Sequence, residues 1–159
     1  MTIAYPLRIY YDRSCPLCAR EMHALQRHDR HARLELVDCS AVGFHDAAAQ
    51  EAGYSATDFM SLIHARDAQG RWLKGVAVFE AAYAAAGIDA VARAWAHPLL
   101  RPLWDRLYPQ VAKHRMGLSK LGVTGIFGWL VERAAKNAAE NSRSCANGRC
   151  ELMEESRKP

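Results

Sequence analysis

The sequence predicts an α/β domain: a four-stranded mixed sheet with flanking helices, followed by a helical extension. Three observations predict it. Short runs of alternating or β-rich residues begin near positions 7, 34, 59 and 71. Between and after them lie segments whose apolar residues recur at helical spacing. The chain has 159 residues, 50% of them hydrophobic and 24% charged. That is enough to bury a real core, and it excludes wholesale disorder and a fibrous repeat.

Leu7-Arg8-Ile9-Tyr10-Tyr11 reads as the first strand and Asp12-Arg13-Ser14 as a turn. From Pro16 the pattern becomes helical. Leu17, Met22 and Leu25 share one face, while Arg20, Glu21, Arg27 and Asp29 stay polar. Pro16 suits a first helical position, where its missing N–H would have no partner anyway. The helix fades over residues 28–31. Leu34-Glu35-Leu36-Val37 alternates and forms the second strand, parallel to the first through a right-handed crossover. Residues 44–52 are Ala-rich and helical, stopped by Gly53. Ser55 caps a short helical start at 55–58. Residues 59–64 read as a third strand and 71–74 as a fourth, a hairpin turning at Asp67-Ala68-Gln69-Gly70. A helix over 76–86 closes at Gly87.

From Ile88 onward the pattern is only helical. One segment covers 90–96 and ends at His97-Pro98. A second covers 99–114, with Pro102 and Pro109 as breaks or starts. A third covers 119–139, weakened by Gly122, Gly125 and Gly128. Residues 142–159 are polar and small. The expected division is a core at 1–87, a helical extension packed on it at 88–141, and a flexible Cys-containing tail at 142–159. The order β-α-β-α-β-β-α is the layout of a thioredoxin-like domain.

Charge and hydropathy narrow the function classes. The formal net charge is +4. The positive residues are scattered rather than striped, so nucleic acid is not indicated as a partner. The apolar run at 121–131 falls well short of the roughly 20 residues needed to span a bilayer. Met1 is followed by polar Thr2 and then by Tyr5-Pro6, without an apolar run behind a basic start. That is the pattern of a cytoplasmic protein.

The informative residues are the five cysteines, at 15, 18, 39, 145 and 150. Cys15-Pro16-Leu17-Cys18 falls where the first strand ends and the first helix begins. The first N–H groups of a helix lack partners and carry partial positive charge, so a thiolate there is stabilised. Cys15 is expected to be the more exposed thiol and the nucleophile. Cys18 lies less than one turn on, and is expected to be more buried and to resolve a mixed disulfide. Pro16 supports the pair by fixing the helix start. No bound cofactor is implied, because the cysteines themselves carry two electrons. The expected partners are a protein or small-molecule disulfide and an external thiol reductant. Two other readings stand beside this one. CxxC can be half of a zinc site, with Cys145 and Cys150 as the other half. The helical extension could instead bind a partner, with the cysteines inert. A CxxC beside a β-α-β pattern favours redox chemistry.

Tyr10-Tyr11-Asp12-Arg13-Ser14-Cys15-Pro16-Leu17-Cys18 resembles the signature of the DCC family, predicted thiol-disulfide oxidoreductases of bacteria named for the spacing DxxCxxC. Asp12, Cys15 and Cys18 match it position by position. Val37-Asp38, the turn from His64 to Gly70 with Gly75 beyond, and the stretch from Tyr108 to Arg115 followed by Leu118-Ser119 are similar to later parts of the family. Cys145 and Cys150 resemble a C-terminal pair seen in some members. The resemblance implies a thioredoxin-like fold and a redox role. Unlike thioredoxins, the segment 59–63 carries no proline.

Asp12 has two readings: a turn residue whose carboxylate accepts from backbone N–H groups, or a proton relay at Cys18. A tail disulfide between Cys145 and Cys150 could exchange with Cys15–Cys18, since Asn147-Gly148 favours a tight turn. Cys39 reads as a small core residue. His23, His28 and His31 lack the spacing of a helical zinc pair and suit a solvated face. Trp95, Leu99, Leu100, Leu103, Trp104 and Leu107 form an apolar band best explained by core packing.

Overall fold

A computed structural model describes residues 2–120 together with Trp129, Arg133 and Lys136. The elements run β1 (Leu7–Tyr11), α1 (Pro16–His28), β2 (Leu34–Asp38), α2 (Ala47–Glu51), α3 (Ala56–Ser61), β3 (His64–Arg66), β4 (Trp72–Lys74), α4 (Val76–Ala85), α5 (Asp89–Ala96) and α6 (Arg101–Lys120). The four strands form one mixed sheet in the order β2-β1-β3-β4. β1 pairs in parallel with β2, Ile9 opposite Leu36, and antiparallel with β3, Ile9 opposite Ala65. β3 and β4 are the expected hairpin.

The period-two pleat of β1 sorts its side chains onto two faces. Leu7, Ile9 and Tyr11 enter the larger core with Met22 and Leu25 of α1, and Val78, Phe79 and Ala82 of α4. Tyr10 points the other way, into a smaller cluster with Cys39, Ala49 and Phe59. Its ring stacks on Phe59 at 4.9 Å, and its hydroxyl donates to Asp46 Oδ2 at 2.8 Å. The second oxygen of Asp46 accepts from Ala49 N at 3.0 Å and caps α2. β1 is therefore the central strand, covered on both sides. Cys39 is buried, which pushes its thiol up to about 12. It behaves as a small apolar residue.

Three expectations need correction. Residues 59–61 are helical, and β3 starts only at His64. The reason is the cap on α3. Ser55 and Asp58 form a reciprocal capping box, with Ser55 N donating to Asp58 Oδ2 at 2.7 Å. This commits the backbone to helix through Phe59, whose ring still reaches the core. The Ala-rich helix is also shorter than 44–52, because Asp46 caps it and leaves Phe44 outside to pack on Tyr10. Finally, α6 is one helix through Pro109 to Lys120. Pro109 is exposed, so water can satisfy the carbonyl it strands. The expected helix at 119–139 thus overlaps the end of α6, and most of it lies outside the described residues.

α6 packs against α1, α3, α4 and α5. Its inward line is Trp104, Tyr108, Ala112 and Arg115, with Ala112 fully enclosed. Trp95 and Trp104 meet at 5.2 Å, as the apolar band implied. Leu99 and Leu103 do not join them and are 84% and 48% exposed. Leu99 precedes the helix, and Leu103 lies off the inward line. Among the described residues no helix is long and apolar enough to cross a membrane.

Gly75 opens α4 with φ +63° and ψ −132°, a conformation that L side chains avoid, while its N–H donates to Ile63 O at 2.9 Å. A Cβ there would meet the Tyr108 ring at 3.8 Å, ordinary contact, so the cost of a side chain is backbone strain alone. Gly75→Ala is expected to lower stability by about 1–3 kcal/mol, read as a shifted urea midpoint with an unchanged slope. An unshifted midpoint would mean that the turn relaxes freely.

Candidate functional site

β1 ends at Tyr11 and the chain turns over three residues into α1. The turn is built by Asp12, which is 5% exposed. Its Oδ1 accepts from Ser14 N at 2.9 Å and from Ser14 Oγ at 2.6 Å. Its Oδ2 accepts from Arg115 Nη2 at 2.7 Å. The neighbouring strand fixes the same loop from outside, with Arg13 N donating to Asp38 Oδ1 at 3.3 Å and Cys39 N to Tyr11 O at 2.9 Å. Of the two readings of Asp12, the turn role is the one its contacts show. Burial alone would push its carboxyl up. The bonds from Ser14 and Arg115 outweigh burial and hold it below the usual carboxylate range. A carboxylate so held is a poor proton store near neutral pH.

Cys15 is the N-cap of α1, with extended backbone (φ −85°, ψ 113°) and no side-chain cap. Pro16 occupies the first turn as expected. The carbonyl of Cys15 accepts the first helical bond, from Ala19 N at 2.9 Å. Cys15 and Cys18 are both free cysteines, placed at the N-cap and in the first turn of α1. Their exposure is the reverse of the expectation: Cys15 has 0% exposure, whereas Cys18 is half-buried. α6 packs along α1 and sends Arg115 to Asp12 at this junction.

Cys18 opens onto a cavity of about 410 Å³ walled mainly by apolar and aromatic side chains, among them Phe59, Phe79, Trp95, Trp104 and Tyr108. Burial pushes the Cys18 thiol far up. The neighbouring Cys15 adds to this, and Arg115 opposes it. Tyr108 is anchored by a bond from Ile63 N to its hydroxyl at 3.2 Å. The position just before β3, where thioredoxins carry a proline, is therefore held by a side chain of α6.

Sequence reasoning missed the roles of two members of this site, Arg115 and Glu21. Arg115 could not be found by spacing, since it lies 103 residues from Asp12. Glu21 carried a signal: it sits three residues after Cys18, on a helix with apolar neighbours at Leu17, Met22 and Leu25. It lines the same cavity, and Tyr83 donates to its Oε1 at 3.1 Å. Burial raises the Glu21 carboxyl to about 7, with the Tyr83 bond opposing. Of the histidines, His23 is half-buried against Tyr11, its Nε2 at 3.4 Å from the hydroxyl, whereas His31 is exposed. Among the described residues no three His, Cys, Asp or Glu side chains come together as a metal site. Cys145 and Cys150 lie outside the described residues.

Residues 9–121 match the family of DCC1-like thiol-disulfide oxidoreductases. The chain belongs to this family. The match takes in Asp12, Cys15, Cys18, Glu21 and Arg115, and ends before the distal cysteine pair. A relative, the uncharacterized chloroplastic protein At5g50100 of Arabidopsis thaliana, is 30% identical over 113 residues, which are 70% of this chain and 52% of that protein. The chain thus spans about half the length of that relative. No solved structure matches it. The family's description names thiol-disulfide oxidoreductase chemistry.

The Asp12–Arg115 pair sets a stability prediction. Its side chains are 5% and 14% exposed, so breaking it leaves a charge enclosed. Asp12→Asn is expected to cost about 3 kcal/mol at neutral pH, whereas Glu35→Gln, at the exposed Arg8–Glu35 pair, leaves the midpoint unmoved. Because the folded state lowers the Asp12 pKa, its contribution is complete above the ordinary value of 3.8 and is lost as pH falls through the lower folded value. Denaturation of the native and Asp12→Asn chains should therefore differ at pH 7 and converge in strong acid. Equal midpoints at pH 7 would contradict the assignment.

Proposed function

We propose that this chain exchanges disulfides through Cys15 and Cys18, with Cys15 as nucleophile and Cys18 as resolving thiol. One observation carries the reading: two free cysteines three residues apart at the start of α1, the second of them on the wall of a cavity. The attacking species must be a thiolate. Cys18 is held protonated by burial, which suits the later step. Cys15 stands where the unpaired N–H groups of the first turn converge.

In this reading Cys15 Sγ attacks one sulfur of a substrate disulfide and expels the other as a thiolate. Cys18 Sγ then attacks Cys15 Sγ, which releases the second substrate thiol and leaves Cys15–Cys18 oxidised. An external thiol must restore the dithiol, so we propose a reducing compartment, the cytoplasm, for the cycle. Asp12 acts as a positioning residue that seats Arg115 near both sulfurs. The paired cysteines at 145 and 150 are candidates for passing electrons to or from the same site.

The test is a redox titration in graded glutathione buffers, with each cysteine read by differential alkylation and mass spectrometry. Cys15 and Cys18 are expected to convert together as one two-electron couple, between roughly −270 and −120 mV. Cys18→Ser should trap a mixed disulfide on Cys15 with oxidised glutathione, and Cys15→Ser should trap far less on Cys18. The converse pattern would exchange the two roles. Thiols protected until a chelator is added would replace the redox reading by a metal-held module.

A further inference from the structure

Glu21 is the one cavity carboxyl that the cycle above does not use. It sits three residues after Cys18 on α1, so the two side chains are neighbours on one helical face, and both line the cavity. Tyr83 on α4 holds one of its oxygens, through a hydroxyl donor and not a cation. The other titratable groups facing this space are Tyr108 and Arg115 from α6, and Tyr11 and Asp12 at the end of β1. Arg115 is committed to Asp12 at 2.7 Å. Burial pushes both Tyr83 and Tyr108 well up, so neither exchanges a proton near neutrality. Asp12 is held ionised by its three bonds.

We propose that Glu21 is the proton acceptor for Cys18 in the resolving step. The inference rests on the dithiol reading and adds the route of the proton. In the mixed disulfide, Cys15 Sγ is bonded to a substrate sulfur and Cys18 carries a hydrogen. The Cys18 proton passes to the Glu21 carboxylate as Cys18 Sγ bonds to Cys15 Sγ. The bond from Cys15 to the substrate sulfur breaks, and that sulfur leaves with the electron pair. It then takes the proton back from Glu21. Two electrons have moved from the dithiol to the substrate, and Glu21 ends unprotonated. The carboxyl titrates near 7, so it can both take and return a proton at neutral pH, which a carboxyl in water cannot do as well.

Stopped-flow reaction of the reduced full chain with dipyridyl disulfide separates the steps. The first released thiopyridone reports the attack, and the second reports resolution. In the native chain the second phase should rise with pH through an inflection near 7. Glu21→Gln should slow that phase roughly a hundredfold at neutral pH, abolish the inflection, and leave the first phase unchanged. Glu21→Asp should restore part of the rate and the inflection. Tyr83→Phe removes the bond that lowers the Glu21 value and should move the inflection to higher pH, a shift that a packing defect does not produce. A native pH profile in Glu21→Gln would overturn the proposal while leaving the dithiol cycle standing. A single release from the native chain, without a Cys15–Cys18 disulfide, would overturn the cycle and the relay together.

Discussion

The ion pair between Asp12 and Arg115 is the constraint on which the site depends. It joins the end of the central strand to a helix that begins some ninety residues later, across a sequence separation of 103. Each partner would be costly alone. An enclosed carboxylate without a donor, or an enclosed guanidinium without an acceptor, destabilises a fold by more than the pair contributes. The pairing therefore acts mainly as a selector of arrangement. It admits the packing in which α6 lies against α1, and that packing makes the outer wall of the cavity. Arg115 Nε has no hydrogen-bond partner of its own. The guanidinium is thus held by its far end, with its remaining charge close to Cys18 and Cys15.

Two carboxyls near the same dithiol are driven in opposite directions by their surroundings. Asp12 accepts three hydrogen bonds, one of them from a cation, and remains ionised. Glu21 has one neutral donor and an apolar setting, and its affinity for protons rises. Residue type does not decide this difference; the donors do. A signature that names the aspartate draws attention to the carboxyl that fixes geometry. The one placed to exchange protons is three residues beyond the second cysteine.

The parts of the fold set by local physics were legible in the sequence. β1, α1 and β2 follow from alternation, a proline at the helix start and a basic last turn, and their junction fixes the position of the cysteine pair. The hairpin follows from its turn residues. What was not legible depends on competition or on distance. Phe59 suits a strand by type, but Ser55 and Asp58 had already capped a helix that includes it. Pro109 should interrupt a helix, yet it faces solvent while Tyr108 and Ala112 hold the segment from the other side. The pairing of Asp12 with Arg115 could not be foreseen, because the two lie 103 residues apart.

Reactivity in a thiol requires access, and the two cysteines of the pair differ in it. Cys15 stands at the start of α1 with no exposed surface, whereas Cys18 meets the cavity but is held protonated. A substrate must therefore enter through the aromatic cavity and reach past Cys18, or α6 must yield for Cys15 to be met directly. Either path favours a disulfide with an apolar flank over a fully hydrated one, since the walls offer few polar partners to replace lost water. In the proposed cycle it also keeps water from the mixed disulfide, so the proton lost by Cys18 needs an acceptor inside the site. The same enclosure that hides Cys15 makes a second carboxyl useful to that cycle.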